Sequence, residues 1–238
     1  MWDACGMAGG TREEVFNAGA YNATPFAKQG DLGSAVLAPR PSGTVWTRGA
    51  RARARVQLTA AHGGGYRFRL CPAGAPLTEA CFQAHELAFA TPATHWVRFA
   101  DSARDFEIPA VVVAHGGGAG WMRHPQPYVT DLACDYVVQP PDHCGWDCPG
   151  CGAPTYAADG ACPCVCYDEY PELSNRSYGA DPAWTPALLP DVPEDSYAIE
   201  DTLVVPDDIP PGDYVLGWRW DCEMTSQVWS SCADITIV

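Results

Sequence analysis

Polar and apolar residues alternate strictly in two neighbouring stretches of the chain. In RARARVQLTA, residues 51–60, Ala52, Ala54, Val56, Leu58 and Ala60 fall on one side and Arg51, Arg53, Arg55, Gln57 and Thr59 on the other, the period of two that marks a half-buried strand. YRFRL, 66–70, alternates again, with Tyr66, Phe68 and Leu70 inward and Arg67 and Arg69 outward. The pattern predicts a β-hairpin with AHGGG as its loop. Shorter runs bounded by Pro, Gly or Asp read as further strands: HWVRF (95–99), AVVVA (110–114), TLVVP (202–206), YVLGWRW (214–220) and DITIV (234–238). No stretch sustains a period of 3.6, so helices are expected to be short and few. The fold class is therefore all-β: an immunoglobulin- or fibronectin III-like antiparallel β-sandwich with long loops.

The segments between strands complete the layout. Residues 1–45, rich in Gly, Ala and Pro, read as an irregular N-terminal wrapping segment, and 140–195 as a Cys- and Pro-rich, disulfide-stapled insertion within one domain spanning 1–238. Twelve cysteines, an even number, point to an oxidising compartment. Two glycosylation sequons, at Asn22 and Asn175, agree with secretion. Because residues 1–20 have no basic start followed by an apolar stretch, a signal peptide is expected upstream of Met1.

Charge narrows the partners. A formal net charge of −15 disfavours nucleic acid, which needs a basic face, and leaves a neutral polymer or small molecule. No apolar run approaches the ~20 residues that span a bilayer; a soluble monomer without a membrane partner is expected. Arg51, Arg53, Arg55, Arg67 and Arg69 would share one hairpin face. Such a face is either a strip for an acidic ligand or, the favoured reading, simply solvated or paired with the abundant carboxylates of neighbouring strands.

Histidine followed by three glycines occurs twice, at His62 and His115. His62 sits where a strand gives way to a loop, and position alone makes it an exposed loop residue; His115 reads as a turn residue. His85, His95, His124 and His143 have no partner at ligand spacing and read as structural or solvated.

The C-terminal stretch PPGDYVLGWRWDCEMTSQVWSSCADITIV changes the weighting. It resembles the ending of the lytic polysaccharide monooxygenases of the chitin-binding type 4 group and their fungal relatives, with Gln227, Trp229 and Cys232 at the three motif positions. The strand ending in Ala-x-His before Gly-Gly-Gly-Tyr is similar to the family segment bearing the second copper histidine, here His62. DACGMAGGT and AKQGDLGSAVL are similar to a region of the long algal and protist members.

The resemblance implies a copper cofactor, an external electron donor and oxidative cleavage of a β-linked polysaccharide of the chitin or cellulose class. His62 would be a metal ligand, Gln227 would orient the oxygen species, and Trp229 falls where the family has an axial Tyr or Phe. Two histidines and a terminal amine give the tetragonal nitrogen set that copper(II) favours. No histidine precedes His62, so the resemblance also implies an upstream segment processed to an N-terminal histidine. The alternatives are a non-catalytic secreted polysaccharide-binding module, to which exposed members of Trp121, Trp146, Tyr156, Tyr167 and Tyr170 would contribute, and a cysteine-rich wall or matrix protein.

Two short bridges are expected, Cys71–Cys81 and Cys222–Cys232, each closing a loop of about 10 residues. Cys144, Cys148, Cys151, Cys162, Cys164 and Cys166 are expected to form three disulfides within the insertion, with a four-sulfur zinc site as the competitor.

Overall fold

The computed structural model describes residues 3–8, 27–28, 30–57, 64–99, 101–114, 118–125, 197–222 and 226–238. In these, period-two patterning becomes strands β1 (Met7–Ala8), β2 (Asp31–Leu32), β3 (Pro41–Trp46), β4 (Arg51–Val56), β5 (Gly65–Pro72), β6 (Ala88–Phe89), β7 (Thr94–Phe99), β8 (Phe106–Pro109), β9 (Val112–Val113), β10 (Trp121–Arg123), β11 (Tyr197–Val204), β12 (Gly212–Asp221) and β13 (Val228–Ile237). The two α-helices among the described residues are short, α1 (Gly33–Val36) and α2 (Glu79–Gln83). β1 and β2 pair separately; the other strands form a six-stranded sheet, β3-β13-β12-β5-β10-β9, and a five-stranded one, β4-β11-β7-β8 with β6 beside β11.

The core lies between these two sheets. Tyr66, Phe68, Leu70, Trp218 and Trp220 from the first pack with Ala52, Ala54, Val97, Phe99, Ile199 and Leu203 from the second in one buried cluster. This is the expected all-β sandwich, antiparallel in its pairings except for β3 with β13, which run parallel.

Three expectations are corrected. β4 and β5 are not a hairpin: β4 pairs with β11 in one sheet, β5 with β12 and β10 in the other, so the two strands belong to different sheets. Alternation specifies which side of a strand is buried but not which strand lies beside it. Opposite Arg55 stands Glu200, and Arg55 Nε donates to its carboxylate at 2.5 Å while Arg98 Nη2 does so at 2.7 Å. Tyr66 and Phe68 instead face Trp220 and Trp218 across β12.

The five arginines therefore occupy the outer faces of opposite sheets. Four of the five are paired with carboxylates, as the favoured reading allowed: Arg53 and Arg55 with Glu200, Arg67 with Glu86, and Arg69 with Glu79; Arg51 Nη2 donates instead to Thr91 O at 3.3 Å. Arg69 is buried beneath α2, whose Phe82 lies under the guanidinium.

The second correction concerns residues 1–45, which are not wholly irregular. Residues 41–46 form β3, an edge strand of the six-stranded sheet that ends on buried Trp46.

The third concerns Cys232, whose disulfide runs to Cys5, 227 residues away, and not to Cys222. Cys232 packs in an outer cluster with Ala4, Cys71, Phe82 and Val215, whereas Cys222 packs against the inner core. The two cysteines thus lie on opposite faces of one sheet, beyond the reach of a disulfide. The N-terminal segment docks over Cys232 instead: Asp3 Oδ1 accepts from the Cys5 and Ser34 amides at 2.9 and 3.1 Å, and Ser230 Oγ donates to Asp3 O at 2.6 Å. Cys71–Cys81 forms as expected and ties α2 to β5. Both bridges fit an oxidising compartment. Among the described residues no helix is long and apolar enough to cross a membrane.

Candidate functional site

Three strands end together at one rim of the sandwich. In register, Gly65 at the start of β5 stands opposite Asp221 at the end of β12, and Asp221 opposite Val228 at the start of β13. One residue further in, Tyr66, Trp220 and Trp229 face one another across the three strands. Alternation puts all three on the inner face. Tyr66 and Trp220 are buried, but Trp229, at the sheet's end, is 43% exposed.

The exposed indole is braced from within. Its ring stacks on Trp220 with centroids 6.3 Å apart and planes 28° apart. His124, just past β10, stacks on Trp220 in turn at 4.8 Å, and its backbone N–H donates to Gly64 O at 2.9 Å. Gln227 is exposed beside Trp229, whose Nε1 donates to Gln227 Oε1 at 3.3 Å. The Gln227 carbonyl accepts from the Cys222 amide at 3.1 Å, which extends the pairing of β12 with β13 by one residue.

Behind this row lies a buried polar network that joins the two sheets. Tyr66 Oη donates to Asp201 Oδ2 at 2.7 Å, and His95 Nδ1 lies 2.7 Å from Asp201 Oδ1. Asp201 and His95 are cross-strand partners on β11 and β7. Burial raises the Tyr66 phenol well above its ordinary value of 10.0, and the Asp201 charge and hydrogen bond raise it further. The phenol is therefore protonated throughout the physiological range.

Gln227 and Trp229, linked to the same motif in the sequence, are in hydrogen-bond contact. His62 and His115, the glycosylation residues Asn22 and Asn175, and the insertion's Cys144, Cys148, Cys151, Cys162, Cys164 and Cys166 lie outside the described residues. Gly64, two residues after His62, is at the rim. Among the described residues no three His, Cys, Asp or Glu side chains gather in a group that would hold a metal. The described donors thus do not fit a copper site by themselves, and no chemical step is derived through copper.

His95 and His124 are buried, which agrees with their structural reading. Trp121 is a poorer sugar platform than expected, since the Arg67 guanidinium lies 3.8 Å over its ring; Trp146, Tyr156, Tyr167 and Tyr170 lie outside the described residues. Sequence reasoning missed His124 and Trp220 as parts of the rim, although the alternation of WMRH and WRW places His124 with Met122, and Trp220 with Trp218, on inner faces. No family model and no curated protein matches the chain.

Proposed function

We propose that this rim faces a neutral β-linked polysaccharide of the chitin or cellulose class, and that the chain acts there in copper-dependent oxidative cleavage. The observation that carries the reading is the common ending of β5, β12 and β13. It brings Gln227 and Trp229 to the end of the sandwich at which the segment containing His62 joins β5. Bound copper would supply one-electron activation of an oxygen cosubstrate, with His62 as one imidazole donor and the remaining donors outside the described residues. Gln227, whose amide oxygen accepts from Trp229 Nε1, stands exposed beside the indole and would orient the oxygen species. Trp229 offers a flat apolar face to the sugar, and its bracing by Trp220 keeps the loss of side-chain entropy on binding small.

A binding module without oxidative chemistry is the second reading. It is favoured by Trp229 itself, because an exposed, pre-stacked indole needs no metal to hold a pyranose ring.

One experiment separates the two. The protein is incubated with insoluble chitin and cellulose, with and without copper and ascorbate, while bound protein and released oligosaccharides are measured. Oxidised products that need both additions and vanish in His62→Ala support cleavage. Retention on the polymer without oxidised products, weakened by Trp229→Ala, supports binding alone. Absence of both sinks the assignment of the rim to polysaccharide.

A further inference from the structure

We propose that the aromatic row from Trp229 to Tyr66 is a one-electron relay, carrying an oxidising equivalent from the rim into the core and ending in a Tyr66 phenoxyl radical whose proton is held by Asp201. The relay goes beyond the polysaccharide reading and stands whether or not the rim holds copper.

The first support is continuity. Successive ring centroids are 6.3 Å apart from Trp229 to Trp220, 6.0 Å from Trp220 to Trp218 and 5.9 Å from Trp218 to Tyr66. Trp220 is also the direct cross-strand neighbour of Tyr66. The entry point is exposed and the terminus is fully buried, so a hole can be injected from solvent while its final resting place is shielded.

The second support is the placement of proton acceptors. Among the described residues the buried Trp218 Nε1 has no hydrogen-bond partner. Among the described residues a Trp218 radical cation has no acceptor for its only acidic proton, so it remains a strong oxidant that passes the hole onward. Tyr66 differs: its O–H donates to Asp201 Oδ2 at 2.7 Å, and Asp201 is pinned from its other oxygen by His95. Electron and proton can leave Tyr66 together, which traps the hole there.

The step balances as follows. A one-electron oxidant of the metal(III) polypyridine class removes an electron from Trp229, and electrons from Trp220, Trp218 and Tyr66 refill the successive vacancies. Tyr66 loses one electron, and its phenolic proton moves to Asp201 Oδ2. A neutral phenoxyl radical and a carboxylic acid remain, with the oxidant reduced to its metal(II) form. An external reductant returns the electron and Asp201 returns the proton.

The test uses the full chain with photogenerated ruthenium(III) tris-bipyridine, following the phenoxyl radical by transient absorption and electron paramagnetic resonance. Wild-type protein should give a tyrosyl signal that is lost in Tyr66→Phe and strongly diminished in Trp220→Phe. Asp201→Asn keeps a hydrogen-bond acceptor but not a base, and it too should lose the neutral radical. Near-UV circular dichroism checks that each variant is folded. A full signal in Tyr66→Phe would place the radical on another tyrosine and overturn the proposal, as would wild-type yields in both Trp220→Phe and Asp201→Asn.

Discussion

Replacing Tyr66 by Phe tests the buried network with little disturbance of packing. The ring stays in place and a single hydroxyl is removed from a residue with no exposed surface. Asp201 then keeps His95 but loses its phenol donor at 2.7 Å. A hydrogen bond to a charged group contributes about 1.5–3 kcal/mol, and because Asp201 keeps its His95 contact the middle of that range is appropriate, so we expect a loss of about 2 kcal/mol at neutral pH. In thermal unfolding this corresponds to a Tm lower by about 4–8 °C for a chain of this size.

The alkaline limb gives an independent check. The Tyr66 phenol is raised above 10.0 in the folded state, chiefly by burial and then by Asp201. Below pH 10 both states hold the proton and the contribution is fully present. Above it the unfolded state releases the proton and the folded state retains it, so stability falls with rising pH by about 1.4 kcal/mol per unit. The Phe variant lacks this titration while its other groups are unchanged. The gap between wild type and variant should therefore close about 1.5 pH units above the ordinary phenol value. Denaturant titrations between pH 7 and pH 11.5 read both effects. A gap that stays constant across that range would show that the hydroxyl is not held as described.

Other perturbations have definite signs. Burial pushes the Glu200 carboxyl up, but hydrogen bonds and charge from Arg55 and Arg98 outweigh it and hold it below its ordinary 4.5. Its stabilisation is present above that value and lost as pH falls through the lower folded one, so Glu200→Gln should cost about 2 kcal/mol at pH 7 and flatten the acid limb of a urea midpoint series. Gly217→Ala would place a Cβ 2.7 Å from Phe82 Cε1; with Phe82 fully buried on the inner side of α2, overpacking of about 1–3 kcal/mol is expected in chemical denaturation. Cys71→Ser with Cys81→Ser opens a short loop and should cost about 2–3 kcal/mol, readable as a lower Tm. Trp229→Ala should weaken retention on a polysaccharide about fivefold, the equivalent of ~1 kcal/mol of stacking, without changing Tm by more than about 2 °C.

Strands that pair with sequence neighbours were the legible part of the fold. β12 and β13 follow each other, and YVLGWRW and DITIV were readable as strands, although β13 begins at Val228, six residues before DITIV. The partners of β4 and β5 were hidden because Glu200 and Trp220 lie far along the chain, and nothing in RARARV or YRFRL distinguishes one sheet from the other. Arg69 alternates as an outward residue and is one, yet α2 buries it; alternation records the face, not what later covers it. Cys232 misled for a related reason. Cys222 is its nearest cysteine in sequence, but the faces of β12 and β13 separate them. At the rim, Gln227 and Trp229 were readable from motif, whereas His124 reaches Trp220 only through the pairing of β10 with β5.

The joining of β3 to β13 and of Cys5 to Cys232 has a consequence for how the protein is made. A ribosome delivers the chain from its first residue, and domains begin to organise as they emerge. Here the partner of an early strand is the last of the described ones: β3, the free edge of β12 and the Cys5 thiol all wait for residues 228–237. A nascent or prematurely stopped chain presents an unpaired sheet edge and a reactive thiol together, the combination that invites aggregation and recognition by folding factors. Synthesis through β13 silences both, so closure of the sandwich doubles as a check that β13 has been translated.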